Sequence, residues 1–287
     1  MSDKNTIIRK KKTINAGGTL IDFASPKVMG ILNITPDSFY SGSRFTSIDT
    51  AVRRTEKMLE DGADIIDIGG YSSRPGATDI SAEDEKSRLI PVIREISKRF
   101  PSAILSIDTF RAEVARAAIN EGGHIINDIS GGELDSEMFR TISELETPYV
   151  LMHMRGTPQD MKQHTNYEDI VREILQYFMI KATKLKEMGV KDIILDPGFG
   201  FAKTIEQNFR LVNNFEHFSI LGIPVLAGIS RKSMIWKTLG IKSDEALNGT
   251  TVLNTIALQK GADIVRVHDV KEAIEAAKLI EALKHTQ

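Results

Sequence analysis

One pattern recurs along the chain: a helix-like stretch, a glycine, then a short run of β-branched residues. It appears in "MLEDGADIIDIGG" (58–70), "AAINEGGHIINDISGG" (117–132), "LKEMGVKDIILDPGFG" (185–200), "FSILGIPVLAGIS" (218–230) and "LQKGADIVRVHD" (258–269). Gly62, Gly122, Gly189, Gly222 and Gly261 fall where a helix ends, a place where positive φ is cheap only for glycine. The runs that follow are apolar on both faces, as parallel strands buried on both sides are. "KVMGIL", "AILSID" and "PYVLMH" supply three more. The predicted strands are therefore 27–32, 64–68, 103–108, 124–127, 148–153, 192–196, 223–228 and 263–267.

Amphipathic stretches separate most of these strands. Over 47–61, Ala51, Val52, Thr55, Met58 and Leu59 form one stripe. "SAEDEKSRLIPVIREISKRF" opens with a capping box from Ser81 to Asp84, and Pro91 is expected to kink or split that helix. "TFRAEVARAAINEG" is a further helix. Strand and helix alternating throughout imply a parallel sheet, and eight units favour a closed (β/α)8 TIM barrel over an open doubly wound sheet. An N-terminal β-hairpin, at about 5–25 and turning through "NAGG" (15–18), precedes the barrel and is expected to cap its bottom. No linker is visible, so residues 1–287 read as a single domain.

Composition narrows the function. A formal net charge of -2 gives no electrostatic footprint for nucleic acid or a membrane surface, and no apolar run approaches membrane-spanning length. The chain has no cysteine, which excludes disulfides, thiolate metal sites and a cysteine nucleophile. The start, "MSDKNTIIRKKKTI", lacks the apolar core of a signal peptide, so a cytoplasmic protein is expected. Its "RKKK" reads as a solvated strand edge with lysines pointing outward.

In such barrels the active site lies at the C-terminal ends of the strands. Asn33 follows the first strand, and "GGYSSRPGATD" the second. The third ends in Asp108, the fourth in Asn127 and Asp128, the fifth in His153, the sixth in Asp196. "GISRKS" follows the seventh, and the eighth holds Arg266, then His268 and Asp269. Carboxylates and amides in a core are costly unless paired, so several at corresponding strand ends point to a shared ligand. Asp108, Asn127 and Asp196 suit a flat heterocycle with N–H donors on one edge. Arg74, Arg231, Lys232, Arg266 and His268 suit a phosphate or diphosphate. His153 reads as a packed core histidine. The loops 33–46 and 69–80 exceed the usual length of about 2–6 residues and read as lids or substrate clamps.

"GILNITPDSF" (30–39), "ADIIDIGGYSSRPGA" (63–77), "SIDT" (106–109), "INDISGG" (126–132), "LMHMRGTPQDM" (151–161), "ILDPGFGFAK" (194–203), "GISRKS" (228–233) and "VRVHD" (265–269) occur in that order. Together they resemble the dihydropteroate synthase family of pterin-binding enzymes, over residues 27–285. The resemblance implies a TIM-barrel transferase of folate biosynthesis. It would condense 6-hydroxymethyl-7,8-dihydropterin diphosphate with p-aminobenzoate, giving 7,8-dihydropteroate and pyrophosphate by an SN1-like route. It also implies Mg2+ dependence, a homodimer and membership of a family that sulfonamides target.

By the same resemblance, Asp108, Asn127, Asp196 and Lys232 would hold the pterin. Asn33, Arg74, Arg266 and His268 would meet the diphosphate, with Asn33 also near the metal. Phe39, Ser73, Pro75, Phe201, Lys232 and Ser233 would surround p-aminobenzoate. Asp37, Arg74, Asp108, Lys232 and Arg266 would carry catalysis. Ser41 stands where the family often has a second loop aspartate, and Tyr71 and Ser73 where it often has Glu and Thr. A pterin-binding methyltransferase shares the barrel and an Asp/Asn/Asp site, but "SRPG" and "SRKS" point away from it. A non-catalytic binding subunit would have lost the cationic residues, which are all present here.

Overall fold

The computed structural model describes residues 11–34, 44–72, 79–284 and 286, without the side chains of 44–47. Strands β1 (Thr13–Ala16) and β2 (Thr19–Asp22) form an antiparallel hairpin. The barrel strands are β3 (Lys27–Asn33), β4 (Ile65–Gly69), β5 (Ile104–Asp108), β6 (Ile125–Asp128), β7 (Tyr149–Met152), β8 (Ile193–Asp196), β9 (Leu226–Ala227) and β10 (Ile264–Val267). They pair in parallel in the order β8-β7-β6-β5-β4-β3-β10-β9. A parallel bridge between Leu195 and Val225 joins β8 to the segment leading into β9, and Leu195 N donates to Pro224 O at 2.8 Å. The sheet thus closes into the expected barrel.

Around it lie α1 (Arg44–Glu60), α2 (Ala82–Arg99), α3 (Ala112–Asn120), α4 (Met138–Leu145), α5 (Ile170–Glu187), α6 (Ile205–Asn213), α7 (Ser233–Leu239), α8 (Leu247–Gln259) and α9 (Val270–Lys284). The five predicted helix-ending glycines all take positive φ, from 65° to 108°. The stripe predicted on α1 is buried at Ala51, Val52, Thr55 and Met58. Ser81 caps α2 by accepting from Asp84 N at 3.0 Å. Pro91 does not split α2, which runs unbroken because Leu89, Val92, Ile93 and Ile96 bury one face against the core. β9 is shorter than predicted, since Pro224 has no N–H to give a ladder.

The barrel interior is filled from below. Met29, Ile65, Ile125, Val150, Ile194, Leu226 and Ile264 point inward and pack on Ile14, Ala16 and Ile21 of the hairpin. The hairpin is therefore the bottom plug. Lys11 corrects the outward-pointing reading of the basic cluster: its ammonium pairs with Asp192 and donates to Lys191 O. That lysine ties the start of the hairpin to the chain just before β8.

Candidate active site

Strand side chains alternate in direction, so the residue two positions on from each plug residue also faces the lumen. Ile65 leads to Asp67, Ile125 to Asn127, Ile194 to Asp196 and Ile264 to Arg266. Met29, Val150 and Leu226 lead instead to Ile31, Met152 and Gly228, so the layer above the plug is polar on the alternate strands β4, β6, β8 and β10. Asp108 and Asn127 lie side by side in register, as do Met152 and Asp196. The Arg266 guanidinium bridges two carboxylates: Nε donates to Asp67 at 2.6 Å and Nη2 to Asp108 at 2.8 Å. Asn127 Nδ2 donates to both Asp67 oxygens, at 3.1 and 3.3 Å. Asp67 is wholly buried.

Across the mouth, Asp196 accepts from Gly198 N at 2.8 Å, which turns the chain into the loop carrying Phe201. The Lys232 ammonium lies 4.5 Å above the Phe201 ring and donates to Phe199 O. Lys232 stands just before α7, and its ammonium, which cannot accept from the free helix N–H groups, is turned to the Phe199 carbonyl. Ser233 begins α7 and is half-buried. Ile129, Met152, Met154, Met161 and Ala202 form an apolar cluster on this side, flanked by Phe110, Leu134 and Phe201.

These surroundings shift the titrating groups. Burial pushes Asp108 up to about 7 against the pull of Arg266, and the nearby Asp67 charge adds to the rise. Burial raises Asp196 as well, opposed by Lys232. Lys232 is lowered to about 8 by burial, with Asp196 acting to restore its charge. The site can thus change its charge near neutral pH.

The structure brings together Asp108, Asn127, Asp196, Lys232 and Arg266, with Phe201 at their edge. His268 sits above Arg266 and is held by Ser230, whose hydroxyl lies 3.0 Å from its Nδ1. Asn33 ends β3 beside Gly69. Asp37, Phe39, Ser73, Arg74 and Pro75 lie outside the described residues, as do residues 35–43 and 73–78 of the two lid segments. Asp108 does not cap the following helix. Ala112 N is taken by Asp135 at 2.7 Å instead, which leaves Asp108 to the lumen. Arg231 does not belong with the phosphate-facing cations: it forks onto Asp269 at 2.6 and 2.9 Å, so its charge is used in joining two loops. His153 is packed as expected, and Asp128 accepts from Ser130 and Gly132 of its own loop and from the Tyr149 hydroxyl of β7.

Two residues escaped the sequence reading. Asp67 lies inside a strand and not at its end, and its signal is a carboxylate within the apolar run "IIDIG". Lys203 lay in a quoted motif without a role. Its buried ammonium donates to Gly198 O and Phe201 O at 2.9 Å each and to His153 O at 3.3 Å, stapling the Phe201 loop. Nothing local marks such a lysine, because lysines are rarely buried.

A cavity of about 630 Å³ is lined by Glu133, His153, Arg155, His164, Glu173 and Tyr177 among others, and by none of the lumen charges. Among the described residues no cluster of three or more His, Cys, Asp or Glu could hold a metal, and no helix is long and apolar enough to cross a membrane.

Residues 29–268 match the family described as pterin binding enzyme. The dihydropteroate synthase of Escherichia coli K12 is 41% identical over 269 residues, 93% of this chain and 95% of that one. A Yersinia pestis dihydropteroate synthase in a sulfonamide drug complex superposes with a TM-score of 0.89 at 36% identity, covering 95% of this chain and 99% of that one. The Xanthomonas albilineans enzyme in complex with 7,8-dihydropteroate gives 0.86 at 33% identity, over 95% and 98%. The lumen of acids, amide and cations thus occurs in a chain aligned along almost its whole length with such enzymes, and this chain belongs to the pterin-binding enzyme family, among the dihydropteroate synthases.

Proposed function

We infer that the chain condenses 6-hydroxymethyl-7,8-dihydropterin diphosphate with p-aminobenzoate to give 7,8-dihydropteroate and pyrophosphate, as a transferase of folate biosynthesis and a sulfonamide target. The observation that carries this reading is Arg266 bridging two acids in the lumen layer that also presents Asn127 and Asp196. Acceptors are thereby set for a ring's N–H edge, next to a fixed cation for its leaving group.

In this reading Asp108, Asn127 and Asp196 accept from the pterin, and the apolar cluster around Ile129, Met152 and Phe201 covers its face. Arg266, His268, Arg74 and Asn33 meet the diphosphate. The C–O bond between the pterin methylene and the diphosphate breaks, and its electron pair leaves with pyrophosphate. The ionised carboxylates of Asp108 and Asp196 then stabilise the ring-delocalised cation. The arylamine nitrogen attacks and afterwards loses a proton. Lys232, Phe201 and Ser233, with Phe39, Ser73 and Pro75, would place the arylamine, so no enzyme nucleophile is required. Asp37 would add a carboxylate from the first loop.

Asn33, the amide at the end of β3, would be the protein ligand of a Mg2+ carried mostly by substrate phosphates and water. When bound, it would neutralise charge on the departing diphosphate. A homodimer is proposed through α8, which is apolar on several sides: Val252 is exposed, and Leu253 and Ile256 are half-buried. Sedimentation would show a monomer if this is wrong. The reading also carries a cytoplasmic enzyme, open to test by cell fractionation.

The direct test is pyrophosphate release from dihydropterin diphosphate and Mg2+, with and without p-aminobenzoate. Arylamine-dependent release that is lost in Lys232→Ala and Arg266→Ala supports the assignment. Tight pterin binding without release sinks it.

A further inference from the structure

Asp67 is the buried charge to which no step above gives a task. It lies in the middle of β4, wholly buried, one residue pair below the rim. Its two oxygens receive N–H groups from two other strands, Asn127 of β6 and Arg266 of β10. Both partners face the reading's substrate, one toward the ring and the other toward the leaving group. Because the Asn127 nitrogen is turned to Asp67, its amide oxygen is the atom left for a ligand. Nε and Nη2 of Arg266 both lie 2.6 Å from one Asp67 oxygen, and Nη2 also donates to Asp108 at 2.8 Å, so Asp67 fixes the plane in which the guanidinium meets Asp108.

We propose that Asp67 is a positioning residue of this reaction: one carboxylate beneath the site orients the ring-reading amide and the diphosphate-facing guanidinium together. A bland alternative is that it only balances the Arg266 charge. The two differ in what they demand. Charge balance needs a negative group anywhere near the guanidinium. Positioning needs two acceptor oxygens at this height in the lumen. An amide offers one acceptor and turns a donor toward either Asn127 or Arg266. A glutamate keeps the charge but moves the oxygens by one methylene.

The proposal rests on the transferase reading for its kinetic readouts, but pterin affinity tests it independently. Asp67→Asn and Asp67→Glu are compared with the unaltered chain, with thermal unfolding as the check on folding. The expectation for both is a dissociation constant for 6-hydroxymethyl-7,8-dihydropterin raised at least about tenfold and a lower kcat, while KM for p-aminobenzoate stays within about twofold. In Asp67→Asn the acid limb of kcat/KM also moves to lower pH. The charged groups facing Asp108 among the described residues include Asp67, Glu85, Asp128, Arg266 and Lys232. Removing Asp67 takes away a like charge and leaves Arg266 undivided to Asp108.

Unchanged pterin affinity in a folded Asp67→Glu, which keeps the charge and moves the oxygens, overturns the positioning role and leaves charge balance. If one variant does not fold, the other decides by pterin affinity. If the unaltered protein binds pterin but releases no pyrophosphate, the transferase reading fails, while the Asp67 proposal still stands or falls on that affinity.

Discussion

Arg266→Met is the perturbation whose outcome the geometry constrains most tightly. The guanidinium is about four-fifths buried and shared between Asp67, wholly buried, and Asp108, itself one-fifth exposed. Methionine fills much of the volume but leaves both acids without their cation. Breaking a buried ion pair from one side costs about 3–5 kcal/mol, because the surviving charge is left uncompensated. For a chain of 287 residues the unfolding entropy is about 0.6 kcal/mol per degree, so the melting temperature should fall by about 5–8 °C.

The loss should depend on pH, with a definite sign. Asp108 already sits at about 7 with Arg266 present, and removing the cation raises it further. A carboxyl whose folded value is raised contributes stability that is full below its unfolded value and lost as pH climbs through the folded one. The gap between variant and parent should therefore widen from pH 5 to pH 8. Adding Asp67→Asn should recover part of the loss, since one orphaned charge is removed. Calorimetry at both pH values tests this. A drop below about 2 °C, or a gap that is the same at pH 5 and pH 8, would show that Arg266 does not hold the acids together in solution.

Pterin binding through an ionised Asp108 should release protons near pH 6.5 and weaken as pH falls below about 7. Lys232 should lose its charge above about 8, so kcat/KM for the pterin substrate traces a narrow bell; titration calorimetry in two buffers and a pH profile check both limbs. Lys203→Met unpins Gly198 O and Phe201 O, so KM for p-aminobenzoate should rise roughly tenfold, with a loss of about 1–3 kcal/mol in stability; an unchanged KM would free the Phe201 loop from Lys203. Gly17→Ala strains a φ of 60° and places its Cβ 2.6 Å from His124 Cδ2, so the plug should weaken by about 1 kcal/mol or more while KM values hold. A kinetic change there would show that the plug reaches the mouth.

The barrel was legible because its signals are local and repeated. A glycine at each of five helix ends and a doubly apolar run after it are properties of short windows, and each lies within a few residues of the strand it marks. Pro91 and β9 are where local rules yielded, one to the packing of α2 on the core and the other to a proline beside the closing bridge. The site was legible where chemistry sits at a strand end, as with Asp108, Asn127 and Asp196. It was misread where a charge is spent on a distant partner. Arg231 and Asp269 are 38 positions apart, and no window contains both.

Asp67 belongs to a third kind, visible in the sequence but not by the rule applied. Strand-end reading assumes that chemistry begins where the strand stops. A barrel lumen instead changes character by layers, and alternation fixes which residues share a layer. Taking the plug residues Ile65, Ile125, Ile194 and Ile264 and stepping two positions onward gives Asp67, Asn127, Asp196 and Arg266. Three of these were found from strand ends or motifs, and the fourth follows from the same step once the strands are in register. A carboxylate at that height has no water to solvate it and needs donors from neighbouring strands. The donors available are an amide and a guanidinium, and satisfying Asp67 fixes both. The burial cost of one acid is thus offset by the same hydrogen bonds that set the orientation of two groups above it.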